Sequence, residues 1–220
     1  MDFSYLFEPY DRLVSRADKS FERIMGEYPD CIACKPGCAD CCHAVFGLFL
    51  IEAVFLKNDF DRLGEKEKNA ALERGLAAEK EIKTLERTLE EFKDDSRMSA
   101  YAMAKARVRC PLLGDKDTCI LYDYRPITCR IYGIPTMIQG VPRICGSTGF
   151  KKDEAYPIFN MDGVQKELFQ LSKDLLTNAG NDAAHERASL LISVPKIIKT
   201  PIDDLVNENP AGPDTENRFG

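Results

Sequence analysis

Nine cysteines that fall into two groups constrain this chain more than any other feature. The first group reads Cys-x2-Cys-x3-Cys-x2-Cys-Cys and runs from Cys31 to Cys42. The second group consists of Cys110, Cys119, Cys129 and Cys145. Thiolates at spacings of two and three residues allow a turn to direct both sulfurs at one metal ion or cluster. The sequence therefore predicts a fold that is organised around a cysteine-ligated metal.

A disulfide framework is the competing interpretation of the cysteines, and the rest of the chain argues against it. The chain begins MDFSYLFE, without the basic and apolar stretches of a secretory signal, so we expect a cytoplasmic protein with reduced thiols. An odd number of cysteines leaves one sulfur over in any complete pairing. A chain of 220 residues also buries enough apolar surface to fold without disulfides.

Composition and charge indicate one water-soluble domain and exclude two classes of partner. Apolar residues make up 44% of the chain, as is usual for globular proteins. The longest apolar run, 44–56, contains Glu52 and is too short to cross a bilayer, so we expect no membrane insertion. A net charge of −6 argues against a nucleic-acid partner. The expected partner is an unidentified redox protein or another protein.

The spacing of apolar positions predicts a mostly α-helical fold. Residues 3–29 have near-helical periodicity, and residues 46–57 predict a buried helix. Residues 59–95 carry an apolar stripe at alternating spacings of four and three, which predicts a long amphipathic helix packed on another helix of the chain. A partner-binding arm is the alternative for this segment. Two further helices are expected between residues 162 and 199.

The pattern changes around the second cysteine group. Residues 108–113 and 119–122 have the composition of strands separated by a turn, which predicts a short β-hairpin. Pro126 and Gly133 mark the start and the end of a short helix that presents Cys129.

These elements predict one cysteine-cluster domain over residues 1–203. The charged helix 59–95 is inserted between the two cysteine groups. Residues 204–220 contain few apolar side chains and are expected to form a disordered tail.

A longer pattern within these groups resembles a known family. It reads Cys34-x3-Cys38-x2-Cys41-Cys42, then Cys110-Pro111-Leu112-Leu113, then Cys119-x2-Tyr122-x2-Arg125-Pro126-x2-Cys129-Arg130. The pattern is similar to that of the YkgJ-type cysteine-cluster proteins, which are described as zinc- or iron-chelating and sometimes as iron–sulfur oxidoreductases. Flagellin lysine-N-methylases carry a similar cluster. The resemblance covers residues 31–150, implies a metal cofactor and leaves Cys31 outside the usual eight cysteines.

Eight cysteines are the predicted metal ligands: Cys34, Cys38, Cys41, Cys42, Cys110, Cys119, Cys129 and Cys145. Successive side chains diverge in an extended backbone, so we predict that Cys41 and Cys42 face two neighbouring centres. Each centre would then have four thiolates and draw them from both groups. His43 is an alternative ligand, but with nine cysteines available a packed or exposed histidine is the favoured interpretation.

The identity of the metal stays open between iron–sulfur clusters and zinc. Closed four-cysteine zinc sites usually show two CxxC pairs, whereas the short spacings overlap here, which favours two 4Fe-4S clusters. Residues 101–152 contain nine Lys and Arg against three Asp. Arg125 and Arg130 are therefore predicted to neutralise an anionic cluster. Pairing of the arginines in this region with acidic residues of segment 61–95 is the alternative.

Two classes of function follow from these alternatives. The first is an iron–sulfur protein with an electron-transfer or redox-support role. The second is a zinc-stabilised protein-interaction module without redox activity. Lysine methylation, by analogy with the flagellin enzymes, is a third hypothesis. No Ser/His/Asp set, Walker loop or dinucleotide-binding glycine motif is present, so the sequence does not decide whether the protein is an enzyme.

Overall fold

The computed structural model describes residues 4–34, 37–151 and 154–207, and this part of the chain is mostly α-helical, as the sequence predicts. The helices are α1 Phe7–Glu27, α2 Leu50–Phe60, α3 Glu65–Glu91, α4 Ser96–Lys105, α5 Ile127–Ile131, α6 Met161–Asn178, α7 Ala184–Ala188, α8 Val194–Lys199 and α9 Ile202–Asn207. Short 3-10 turns lie at Ser4–Leu6, Pro29–Cys31, Cys41–His43 and Tyr122–Tyr124. The strands are β1 Thr136–Ile138, β2 Val141–Arg143 and β3 Phe159–Asn160.

The three strands form a small sheet in the order β2-β1-β3. Strand β1 pairs antiparallel with β2, with Met137 opposite Pro142. It pairs parallel with β3, with Thr136 opposite Phe159. The sheet therefore joins the end of the cysteine-rich region to the start of α6.

Helix α2 lies at the centre of the fold, because it is buried on nearly all sides and contacts α1, α6, α8 and α9. Ile51, Ala53 and Val54 are almost completely buried. The Ile51 amide donates a hydrogen bond of 3.1 Å to the hydroxyl of Ser172 on α6, which fixes these two helices within the core. Helix α2 starts eight residues after Cys42 and so sets the position of the first cysteine group.

The predicted helix 59–95 is divided in the structure. Helix α2 ends at Phe60, and α3 begins at Glu65 after Gly64, which adopts an extended backbone at the cap position. Glu65 and Glu67 in the first turn of α3 favour a new helix start there, since acidic side chains stabilise a helix N-terminus. Helix α3 packs on α8 and α4, so its stripe faces helices of the same chain, as the first interpretation expects.

The predicted hairpin and short helix of the second cysteine group are present. Leu113 and Cys119 form an antiparallel bridge, and Asp117 adopts a positive φ of 52° in the intervening turn. Helix α5 follows Pro126 and ends before Gly133, whose φ of 104° belongs to the left-handed region.

The C-terminal part differs from the prediction in two respects. Three helices, α6, α7 and α8, lie where two were expected. Residues 204–207 belong to α9, in which Leu205 and Val206 are buried, and the Arg187 side chain donates a 3.0 Å hydrogen bond to the Leu205 carbonyl. The predicted tail therefore starts inside a packed helix, and residues 208–220 lie outside the described residues. Among the described helices, none has the length and apolar character needed to cross a membrane.

Candidate metal centre

Backbone hydrogen bonds join the two cysteine groups. The Val108 amide donates to the His43 carbonyl at 3.1 Å, and the Cys110 amide donates to the Cys42 carbonyl at 2.7 Å. The Gly149 amide donates to the Cys31 carbonyl at 2.9 Å and closes the other end of the region. The two groups are thus brought together in space across the inserted helix α3, as the sequence predicts.

Five cysteines line one cavity of about 70 Å³: Cys41, Cys42, Cys110, Cys119 and Cys129. We call them the inner group. Most of the remaining wall is apolar and comes from the segment that follows Cys42, from α3 and from the start of α8. Phe46, Ile82 and Val194 are examples. This lining excludes water from one side of the thiols.

Cys41 and Cys42 do not diverge as predicted. They lie in a 3-10 turn instead of an extended segment, and their Sγ atoms are 4.0 Å apart. Both side chains line the inner cavity. The prediction assumed an extended backbone, in which successive side chains point to opposite sides. The rotation between successive side chains is smaller in a 3-10 turn, so the two thiols do not diverge.

The three remaining predicted ligands are Cys34, Cys38 and Cys145, and we call them the outer group. The Cys145 thiol donates a hydrogen bond of 3.4 Å to Oδ2 of Asp40. Burial and then the charges of Cys38, Cys145, Cys41 and Asp40 raise the pKa of Cys34 to about 11. Cys41 of the inner group contributes to this effect, so the two groups adjoin each other. The turn predicted at Pro36 lies outside the described residues.

Main-chain amides favour the thiolate form at several cysteines. The backbone amides of Leu112 and Leu113 lower the pKa of Cys110, and that of Leu121 lowers the pKa of Cys119, against the larger effect of burial. The Ser147 amide lowers the pKa of Cys145 in the same way. Hydrogen bonds to sulfur stabilise its anionic form and tune the potential of a bound cluster. The loops of the second group are therefore folded in a way that suits ligand thiolates.

Burial opposes ionisation of the inner group. Desolvation raises the pKa of Cys110 to about 12 and also raises the pKa values of Cys119 and Cys129. A hydrogen bond from Cys42 lowers the pKa of Cys41 to about 7, while that of Cys42 rises. Thiols with a raised pKa stay protonated in the absence of a cation, so they bind a metal only by releasing their protons.

The predicted arginines have different surroundings. Arg125 lines the inner cavity, and its guanidinium lies 3.6 Å from the centre of the Tyr122 ring. Its positive charge lowers the pKa of Cys41, Cys119 and Cys129, against the larger effect of burial, which raises the pKa of all three. Arg125 is therefore placed to neutralise a bound anionic group.

Arg130 is turned toward the protein. Its guanidinium forms a 2.7 Å ion pair with Asp18 on α1, and its Nε donates to the Arg125 carbonyl at 2.7 Å. Arg107 pairs with Asp40. The alternative that these arginines pair with acidic residues of segment 61–95 is wrong for Arg107 and Arg130. Their carboxylate partners are Asp40, within the first cysteine group, and Asp18, on α1.

Glu52 positions the helix that carries Cys129. The carboxylate is almost completely buried and accepts from the amide of Ile127, at the start of α5, at 3.1 Å. It also accepts from the Phe49 amide, at the start of α2, at 3.3 Å. One carboxylate therefore joins the N-termini of two helices, which favour negative charge. The sequence showed Glu52 as a charge within an apolar run, but not its partner.

Glu52 gives the protein a predicted pH dependence of stability. Burial raises its pKa to about 7, although the two amides lower it, and Tyr10 on α1 is the titratable group that faces it. The folded state binds the proton more tightly than the unfolded state. Protonated Glu52 therefore stabilises the folded protein fully below about pH 4.5. This contribution to the free energy of unfolding, roughly 3 kcal/mol in total, is lost as the pH rises through about 7.

Urea unfolding of the wild type and of Glu52→Gln at pH 5 and pH 8 measures this effect. The wild type should lose more stability between these pH values than the variant does. The cysteines titrate equally in both proteins, so the difference between them isolates Glu52. Equal pH dependence in the two proteins would contradict the assignment.

The described contacts of the Cys31 and His43 side chains are with groups other than the proposed ligand sulfurs. Cys31 packs against the core beside Gly149, and its electrostatic neighbours are Lys151 and Tyr156. The ring of His43 forms a hydrogen bond of 3.0 Å between Nδ1 and the Ala39 carbonyl, which ties it to the main chain.

We predict that Cys31→Ser leaves the metal content unchanged, because the described contacts of Cys31 are with the core and with Lys151 and Tyr156. Elemental analysis of the purified variant checks this expectation, with the wild type prepared in parallel. Loss of a whole metal centre would identify Cys31 as a ligand.

The thiols lie near one another, but their sulfur atoms are not arranged as ligands around a metal ion. Within the described residues, no three Cys, His, Asp or Glu side chains already form a metal-holding group. Residues 33–146 match the family model CxxCxxCC, described as "Putative zinc- or iron-chelating domain". No curated protein and no solved structure matches the chain.

Proposed function

The chain belongs to the CxxCxxCC family, whose model covers more than half of it, and from this membership we propose that the inner group binds an iron–sulfur cluster with an electron-transfer or redox-support role. The family match supports metal binding by the cysteines. The choice of a cluster, and its redox role, are the parts that we propose.

The inner cavity is the observation that carries this proposal. A zinc ion contacts its four sulfurs at about 2.3 Å and needs no space beyond them. The cavity of about 70 Å³ is several times the ~15 Å³ that a single buried water requires. Space for several atoms among thiols suits a cluster of iron and sulfide better than a single ion.

The residues around the cavity suit the needs of such a cluster. Four of the thiols Cys41, Cys42, Cys110, Cys119 and Cys129 would hold it, and when bound it supplies one-electron transfer. Arg125 would offset its negative charge. The apolar wall would exclude water, and the amides of Leu112, Leu113 and Leu121 would donate to ligand sulfurs. Burial and these hydrogen bonds would set the potential.

Anaerobic purification without added metal, followed by elemental analysis, sulfide determination and a visible spectrum, tests the proposal. We expect iron and acid-labile sulfide in equal amounts, with broad absorbance at about 400 nm that bleaches on reduction. Zinc without sulfide or colour would contradict it and would leave the metal with a structural role in a protein-interaction module.

A further inference from the structure

Glu52 is a buried acid that lies in the layer behind the wall of the inner cavity. Its side chain belongs to the central helix α2, and the residue is only 2% exposed. Leu56 follows it by four residues, so it lies on the same face of α2, one turn of about 5.4 Å away, and it lines the cavity. Pro126 also lines the cavity, and the amide of the next residue, Ile127, donates to the Glu52 carboxylate. Helix α2 and the start of α5 thus place this acid beside the inner group.

The hydrogen bonds of Glu52 do not by themselves require an ionisable side chain. Its carboxylate accepts from the amides of Phe49 and Ile127, and the oxygen of a glutamine amide could accept the same bonds. Burial of an ionised carboxylate costs much more than burial of an amide unless a cation is paired with it. Among the described residues, no cation pairs with Glu52. A buried group that gains or loses a proton near neutral pH therefore lies behind the cavity.

The groups that surround Glu52 carry little charge. On α1, the Tyr10 hydroxyl faces it, and the charge of Glu52 adds to the effect of burial in raising the pKa of Tyr10. The other charges that act on this hydroxyl are those of Asp11 on α1 and of Arg130 and Cys129 on α5. Burial and the two amides determine the pKa of Glu52, and the described charged side chains of the other elements in contact with α2, which are α6, α8, α9 and the turn Tyr122–Tyr124, do not contribute to it.

We propose that Glu52 takes up a proton when the inner cluster accepts an electron, so that electron and proton uptake are coupled. The inference rests on the proposed function, because it requires a redox-active cluster. The electron comes from an external one-electron donor and the proton comes from solvent, and the carboxylate becomes a neutral carboxylic acid as the cluster gains one negative charge.

Electrostatics gives the direction and the size of this coupling. An added negative charge disfavours a neighbouring carboxylate and favours its neutral form. At an effective dielectric constant of about 20, one unit of charge at ~10 Å changes the proton affinity of a carboxylate about tenfold. Because the coupling between two binding events is reciprocal, protonation of Glu52 makes the cluster easier to reduce by the same factor.

The midpoint potential of the anaerobically purified holoprotein, measured by spectroelectrochemical titration between pH 5 and pH 9, tests the coupling. We expect the potential to fall by about 59 mV over this range, which corresponds to a tenfold change in the equilibrium constant for one electron. The fall should begin near pH 7, because at lower pH Glu52 carries its proton in both oxidation states. Glu52→Gln should lose this fall.

Asp59→Asn is the matched control, because it removes another buried carboxylate of α2 that is paired with Arg62 at 3.0 Å. This variant should keep the fall in potential. A purely structural role of Glu52 would change the potential equally at every pH, without changing its pH dependence. A fall that persists in Glu52→Gln would therefore overturn the inference.

Infrared difference spectroscopy of the wild type gives a readout that does not depend on the folding of a variant. Reduction at pH 7.5 should add the carbonyl stretching band of a protonated carboxylic acid, and this band should shift in D2O. Absence of the band would also overturn the role of Glu52.

The same measurements separate this inference from the proposed function. A protein with iron, sulfide and a reducible spectrum, but with a potential that does not depend on pH, would overturn the role of Glu52 and leave the proposed cluster supported. A protein without iron and sulfide would overturn both.

Discussion

Removal of the metal is expected to lower the melting temperature sharply and to reduce the helical signal. Residues 29–46 and 106–126 contain only 3-10 turns and an isolated bridge within their described parts, so few regular hydrogen bonds hold them. A structural metal contributes on the order of 10 kcal/mol of folding free energy per site. This is comparable with the whole stability of an ordinary domain, which is about 5–15 kcal/mol.

Circular dichroism and thermal unfolding before and after treatment with a chelator and a reductant measure this effect. We expect that adding back the metal components under anaerobic conditions restores the transition. A metal-free protein that keeps its full helical content and its melting temperature would show that the metal does not hold the fold together.

Cys129→Ser is expected to remove the inner cluster. Cys129 lies on α5, lines the inner cavity and is surrounded by protein, which raises the pKa of its thiol. A serine hydroxyl is a harder and far less acidic ligand than a thiol, so it does not replace the thiolate on iron. Iron, sulfide and the absorbance at about 400 nm should fall below a tenth of the wild-type values.

Cys31→Ser is the matched control for this variant, because it makes the same change of sulfur to oxygen at a cysteine outside both groups. Unchanged iron and sulfide in this variant would exclude Cys129 as a ligand and would require another thiol, such as Cys41, in its place.

The helical architecture was predictable because it follows from local patterns. The buried helix α2, the stripe of α3 and the limits of α5 follow from periodicity, proline and glycine, which act within a few residues of the chain. The division of segment 59–95 was missed, since the apolar stripe continues close to the break and Gly64 alone is a weak signal. Helix α9 was missed because it is only six residues long and packs on the core through three apolar residues, Ile202, Leu205 and Val206.

The sequence predicted which cysteines belong to the candidate site, but not how these cysteines divide into two groups. The cysteine spacing identified eight residues that the structure gathers into two neighbouring groups. The grouping itself depends on the 3-10 turn at Cys41–His43, which directs both adjacent thiols to one side. Asp40, Glu52 and Gly133 have no distinctive spacing, and their roles depend on contacts with residues far along the chain.

The sequence alone thus determined the class of ligand, the helical fold and the need to bring two distant cysteine groups together. These properties depend on residue chemistry and on periodicity along the chain. Only the tertiary structure decided which thiols share a cavity, which carboxylate lies beside the outer group and which arginine faces the site. Those relations depend on how α2, α5 and the hairpin pack, and packing between distant segments leaves no regular pattern in the sequence.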